Sequence, residues 1–438
     1  MTRPVPAFWL AVCVAAGSLP AVGAEPKAPE PQAPGAWEKV AAQDQVLRDV
    51  KQIVSPGLFH PDWQRVVAIP SDGKLTDLGL PHDGAGPDGK PRPPLQAASR
   101  HNALWVDLDC DGKPSPREVS PLSGEGEAGP FTWEASYDDG TAAPYTFKLQ
   151  FTGETGKFRL LRCCARLAHF GKSALVLLDD DANGRFNDLG RDALLVDQQP
   201  LTLLGRQVYI GGKLHELIVH ASGQTLEIRP HPPVATGLVN MFRKYTMPQR
   251  SENLRIYTVI VSGRESSFSF SPAQPALELP LGAYDVVFGF FERAAEQMWM
   301  RSGDRTSFNV EAGKETLPAW GGPVKGEVRV ENDGQTITVQ GPLFRGAAGE
   351  IYRPVDFHKI SCNATLIVIW KDKRTNTERP EVLNSRRYQV LPTGDWKPAT
   401  FEYTRSEEMQ VNVEYKSGIV GPIRAEQRFQ FIYSRKTK

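Results

Sequence analysis

Two short stretches carry more oxygen ligands than a surface turn needs. Residues 107–118 read DLDCDGKPSPRE. Counting from Asp107, the acids Asp107, Asp109 and Asp111 stand at positions 1, 3 and 5, with Gly112 at 6. Lys113 follows at 7, Ser115 at 9 and Glu118 at 12. Alternate residues of a tight coil turn their oxygens toward one centre, and the glycine permits the sharp bend. Lys113 would lend its backbone carbonyl, Ser115 a water-mediated contact and Glu118 both carboxylate oxygens. A hard cation that wants six to eight oxygens at about 2.3–2.6 Å fits that set, which points to Ca²⁺. Residues 179–192, DDDANGRFNDLGRD, repeat the spacing with Asp179, Asp181, Asn183 and Gly184 at 1, 3, 5 and 6. Arg185 stands at 7, Phe186 at 8 and Asn187 at 9. Position 12 is Gly190, so the closing carboxylate must come from Asp188 or Asp192 bending back. Like charges this close repel unless something positive lies between them. The competing explanation is a pair of Asp/Asn/Gly turns between strands.

The twelve residues from Asp107 to Glu118 resemble EF-hand-type calcium loops, and the resemblance stops at those twelve. Pro114 takes the position where paired EF-hands carry an apolar residue, and the flanks ALWV and VSPL read as strand and turn. One calcium loop on a β scaffold is therefore expected here, and a second at 179–192. The wording of the second loop, with LGAYDVV and GGPVKGEVRV further on, resembles uncharacterised secreted β-rich proteins of environmental bacteria. That resemblance implies no activity.

The elements that must hold these loops are mostly β. The chain has 438 residues, long enough for several cores, and 51 basic residues balance 51 acidic ones. No global field points to nucleic acid or an anionic surface. The 39 glycines and 36 prolines favour turns and short strands over helix bundles. Residues 1–24 carry Arg3, an apolar run and a VGA ending, the pattern of a signal peptide cleaved before Glu25. Residues 25–35 form a Pro-rich spacer. Within 36–94, Trp37, Val40, Ala41, Leu47, Val50 and Val54 have helical spacing and predict an amphipathic helix, stopped by Pro56 and Gly57, before a Gly/Pro-rich loop. Runs such as YTFKLQF, SALVLL and QTLEIRP predict a β domain over 95–232 that carries both acidic loops. Residues 238–321 contain LPLGAYDVVF and FNVEAGKE, similar to transthyretin-like or carboxypeptidase-regulatory β-sandwiches. Residues 322–438 have the strand count and turn spacing of an immunoglobulin-like sandwich. The fold class expected is mostly β, with tandem β-sandwich-like domains, one N-terminal helix and a signal peptide.

Other chemistry does not assemble from the sequence. His215 and His220 in HELIVH are five apart and fail the zinc-protease spacing. Cys164 with His169 has nothing to orient it. The sequence leaves open a disulfide between Cys110 and Cys163 or Cys164 against buried thiols, with Cys362 the fourth cysteine expected in the mature chain. Trp133, Tyr137, Trp299, Trp320 and Trp396 suit either sandwich core or a sugar-stacking platform. The segment 291–305 reads as a short helix or a long hairpin. No further apolar run is long enough for an integral membrane span. The reading that results is an exported, non-catalytic, calcium-binding structural or adhesive protein, secreted, periplasmic or on the cell surface. Its partners would be a cell-surface polymer or other envelope proteins, with no nucleic acid. A carbohydrate-binding accessory protein is the alternative, and a hydrolase with an unrecognised site the weaker one. The oligomeric state and the biological process are not written in the sequence.

Overall fold

Short β-branched and aromatic runs punctuated by Gly, Asp and Asn become strands throughout. A computed structural model describes residues 35–46, 65–82, 93–100, 103–123, 126–152, 155–197, 199–246, 254–293, 296–332, 336–355, 364–372, 374–384, 399–402, 407–417 and 419–429. The expected signal peptide, nearly all of the spacer, Cys362 and Trp396 lie outside these residues. The described residues contain strands and turns and no helix. Several sheets make up the fold, consistent with multiple β-sandwich-like units.

The expected N-terminal helix is corrected. Glu38–Val46 is a strand, and residues 47–54 of the expected helix lie outside the described ones. The strand sits in the middle of an eight-stranded sheet. It pairs antiparallel with Cys164–Phe170 on one side and Thr225–Pro230 on the other. Backbone pairing along both edges outweighs a helical spacing read from a handful of small apolar residues. Over residues 38–44 the buried side chain is Val40, with Ala42 partly buried on the same face.

Both acidic loops belong to the body built on this sheet. Two four-stranded sheets complete it. One runs Val66–Ala68, Lys157–Arg162, Ala142–Phe151, Glu127–Ser136; the other runs Thr76–Asp77, Gln96–Arg100, Ala103–Asp107, Val119–Pro121. Their inward residues share one core that includes Leu104, Phe131, Trp133, Tyr145, Phe147, Leu177, Phe186 and Ile228. Burying side chains of this kind is worth roughly 1.5–3 kcal/mol each, which makes the platform under the loops firm. The first loop leaves the strand Ala103–Asp107 and returns at Val119; the second leaves Ser173–Leu178 and returns at Ala193.

A second core runs from Val239 to Ile423. Its nine-stranded sheet is continuous across residue 322, because Glu296–Arg301 pairs with Ile351–Val355. The segment 291–305 resolves as a hairpin: Gly282–Arg293 pairs back on Glu296–Arg301, burying Met298, Trp299 and Met300. The two bodies meet where Leu203 packs with Ile260, Phe288, Phe290 and Trp299. Thr258 Oγ1 donates to Leu201 O at 2.8 Å across the same seam.

Candidate metal centres

The two loops fold to one backbone plan. Position 4 has a left-handed conformation in each, with φ 58° at Cys110 and 55° at Ala182, and so does the glycine at position 6, with φ 74° at Gly112 and 86° at Gly184. The coil brings the amides of positions 5 and 6 onto the carboxylate of position 1. Asp111 N and Gly112 N donate to Asp107 Oδ1 and Oδ2, each at 3.1 Å. Asn183 N and Gly184 N donate to Asp179 Oδ1 and Oδ2 at 3.1 and 2.7 Å. In both loops the side-chain oxygen of position 5 accepts the amide of position 7 at 2.7 Å, Lys113 N on Asp111 and Arg185 N on Asn183. Such Asx bonds are why Asp and Asn fill these positions even with no ion considered.

The first loop gathers Asp107, Asp109 and Glu118, with one oxygen from each within 4.8 Å of the others. Two oxygens on opposite sides of a Ca²⁺ ion, each about 2.4 Å from it, lie about 4.8 Å apart, so the spread suits one ion. Asp107 and Glu118 are buried and Asp109 is exposed. Glu118 Oε1 accepts Leu108 N at 2.8 Å and Asp109 N at 3.2 Å, and Oε2 accepts Ser115 N at 2.9 Å. Burial is the largest influence on Glu118 and works to raise its pKa, but the Ser115, Asp109 and Leu108 donors outweigh it and the pKa falls. Asp107 goes the other way: burial raises it, and Glu118 and Asp109 add to the rise against the pull of the Gly112 and Asp111 amides. Asp111 and Lys113 are exposed, and Ser115 contributes through its backbone to the Glu118 turn.

The second loop gathers Asp179, Asp181 and Asp192, again within 4.8 Å and all three buried. Asp192 thus supplies the carboxylate that Gly190 lacks. Its Oδ1 accepts Asp180 N at 3.2 Å and its Oδ2 accepts Asp188 N at 2.7 Å. Asp188 sits beside the trio, its Oδ2 bonded to Asn183 Nδ2. The Arg185 side chain reaches away toward Asp138 at 3.6 Å. Asn187 is half-buried. Asp181 Oδ2 has Asn183 Nδ2 at 3.3 Å and Arg191 at 3.6 Å. Asp181 Oδ1 is buried with no hydrogen-bond partner at all, on a residue 7% exposed. A buried carboxylate oxygen left unpaired costs free energy, so its place among two other carboxylates calls for a cation or a proton.

The electrostatics state that need. Burial pushes Asp179 up to about 8, helped by Asp181 and opposed by the Tyr145 hydroxyl at 2.7 Å and the Gly184 amide. Burial raises Asp181, with Asp188 adding to it. Burial raises Asp192 well above the ordinary carboxylate range, with the charges of Asp179, Asp188 and Asp181 adding to it.

Several supports were not visible in the spacing. Asp180, the middle aspartate, turns to the other side of the chain and meets Arg162 at 3.0 Å, the two side chains 2% and 0% exposed. Tyr137 OH donates to Gly184 O at 2.9 Å. Phe186, at position 8, is fully buried against Tyr145 and under the Arg166 guanidinium, 4.5 Å from its ring centroid. The two loop glycines also differ. A Cβ on Gly112 meets nothing, whereas one on Gly184 would lie 2.4 Å from Pro81 Cδ. Gly112→Ala is therefore expected to cost only the left-handed backbone penalty of about 1–2 kcal/mol. Gly184→Ala should cost clearly more in paired thermal melts; equal losses would contradict the close approach of Pro81.

The other constellations are not assembled. Cys164 is buried and His169 exposed. Cys163 and Cys164 are buried thiols without a disulfide, pushed by burial to about 11 and about 12, so the pairing with Cys110 is not formed. His215 lies within the strand Lys213–Val219, its ring edge-on to Phe170. Trp133, Tyr137, Trp299 and Trp320 are core residues and present no stacking face.

No family model matches the chain, and no curated protein does. Among solved structures the chain has a likeness to one described as "Crystal structure of tetra-tandem repeat in extending region of large adhesion protein". The identity is 9%, with 71% of this chain and 94% of that one covered, at a TM-score of 0.14. A likeness that slight carries no argument here.

Proposed function

We propose that this chain is an exported, non-catalytic structural or adhesive protein whose two acidic loops bind Ca²⁺ and brace its N-terminal β body. The carrying observation is the unpartnered Asp181 Oδ1 inside the buried trio Asp179, Asp181 and Asp192. A hard cation with several protein oxygens answers it, and both oxygen chemistry and loop spacing favour Ca²⁺ over Mg²⁺, which demands a tighter octahedral shell. In this reading the first loop, with one exposed carboxylate, is the weaker site. The surface partner would be an envelope polymer or another envelope protein. Among the described residues no helix is long and apolar enough to cross a membrane.

The test is calorimetry with Ca²⁺ and Mg²⁺, alongside melts in Ca²⁺ and in EDTA. If a loop binds at about 0.1 mM, ~10 mM Ca²⁺ stabilises the fold by about 2.7 kcal/mol. Tb³⁺ offers a second readout. The Tyr145 hydroxyl is 2.7 Å from Asp179, so Tb³⁺ in the second loop should emit on aromatic excitation and Tyr145→Phe should dim it. Asp181→Ala is expected to remove most of the calcium response and Asp109→Ala a smaller part. No heat of binding and superimposable melts would return both loops to acidic turns.

A further inference from the structure

We infer that occupancy of the second loop controls the docking of the strand Glu38–Val46, so that Ca²⁺ locks the N-terminal strand into the sheet; the inference rests on the calcium reading above. Over residues 38–44 the strand is held by few side chains. There Val40 is the buried apolar residue, and residues 38, 39, 41, 43 and 44 are exposed. Yet it joins the two flanks of the eight-stranded sheet, so its departure would leave the edges of Cys164–Phe170 and Thr225–Pro230 unpaired. Strands with little apolar burial open at low free energy unless something specific ties them down.

The tie is Arg166. It is fully buried on the neighbouring strand. Its Nη1 donates to Asp44 Oδ1 at 2.5 Å, a charge-assisted bond into the N-terminal strand. Its Nε donates to Ser222 O at 2.9 Å and its Nη2 to Pro144 O at 3.0 Å. The guanidinium also lies over the Phe186 ring, 4.5 Å from its centroid, and beside the Tyr137 hydroxyl. Phe186 is the middle residue of the second loop, between Asp179, Asp181 and Asn183 on one side and Asp188 and Asp192 on the other. There is no slack at this junction. A Cβ on Gly223 would lie 2.8 Å from both Arg166 Cγ and Phe186 Cβ. An ion that draws the loop carboxylates together seats Phe186, and Phe186 seats the guanidinium that holds Asp44. Loss of the ion lets the carboxylates repel, and the displacement passes along a two-contact path to the strand.

The experiment is hydrogen exchange read by mass spectrometry on the full chain, in Ca²⁺ and in EDTA, with calorimetry run in parallel. Calcium should slow exchange across residues 38–46 by tenfold or more while leaving Gly421–Phe429, in the other body, unchanged. Asp44→Asn removes the charge at a partly exposed position and touches no loop carboxylate. It should reduce the calcium-dependent slowing at 38–46 to under threefold with calcium affinity kept. Phe186→Ala should do the same if it folds, and Asp44→Asn decides the matter if it does not. Calcium binding with exchange at 38–46 unaltered, or full calcium protection surviving in Asp44→Asn, overturns this inference and leaves the calcium reading standing. Absence of calcium binding in calorimetry overturns both.

Discussion

In EDTA the protein loses stability as the pH rises from about 4 to about 8, and Ca²⁺ abolishes that loss. Asp179 has its pKa raised from an ordinary 3.8 to about 8, and Asp181 and Asp192 are raised beside it, burial being the first cause for each. Between the unfolded and folded values the unfolded chain has given up its protons while the fold still holds them. The folded state then binds more protons, so stability falls with rising pH across the window. The contribution is fully present below about 3.8 and gone above about 8, opposite to the usual salt-bridged aspartate. Each unit of displacement is worth about 1.36 kcal/mol, so the rise of Asp179 alone is appreciable beside a typical fold stability. A cation takes the place of the protons. Calcium stabilisation should therefore be greatest near pH 8 and vanish near pH 4, with protons released on binding. Asp192→Asn separates the roles. It removes a group that burial and three neighbouring carboxylates push up, so in EDTA at pH 8 the variant should melt above wild type. In Ca²⁺ at pH 8 it should melt below. Melts of both proteins from pH 4 to 8 with and without Ca²⁺ check this. A wild-type curve that stays flat with pH in EDTA would show that the trio is not under strain.

The loops were legible because the spacing that gathers their carboxylates is local. Spacing alone placed Asp107, Asp109 and Glu118 together, and it named Asp192 as one of two candidates to replace Gly190; burial and the Asp180 and Asp188 amides select it. The strands were legible for the same reason: Ile210 pairs with Lys213 across the glycines Gly211 and Gly212. What spacing could not show was non-local. Nothing in residues 37–54 announces that two strands more than a hundred residues away, Cys164–Phe170 and Thr225–Pro230, will clamp Glu38–Val46 from both sides. Nor does the chain near 322 show that Glu296–Arg301 will extend its sheet through Ile351–Val355. Backbone pairing is indifferent to side-chain period, so a weakly apolar segment takes the geometry its neighbours offer.

Asp180→Ala should be among the most destabilising single substitutions in this body, and calcium should not rescue it. The three consecutive aspartates share a sequence, not a role. Asp179 and Asp181 gather with Asp192, while Asp180 between them turns to Arg162. That pair is 3.0 Å apart with both side chains almost fully buried. Buried pairs gain little net stability over an apolar replacement, because desolvation offsets attraction, but removing one partner leaves the other charge stranded. The expected loss is about 3–5 kcal/mol, in EDTA and in Ca²⁺ alike. Arg162→Met should cost a similar amount for the mirrored reason. The double variant Asp180→Leu/Arg162→Met should recover much of it, since two apolar side chains need no counter-charge. Asp181→Ala should behave in the opposite way, losing the calcium-dependent increment while losing nothing in EDTA at pH 8, where its unpaired oxygen is a liability. The measurement is denaturant unfolding of the four proteins with and without Ca²⁺, with Tb³⁺ emission reporting the loop separately. A calcium-dependent loss for Asp180→Ala, or a calcium-independent one for Asp181→Ala, would mean that the two aspartates have been assigned to the wrong sides of the chain.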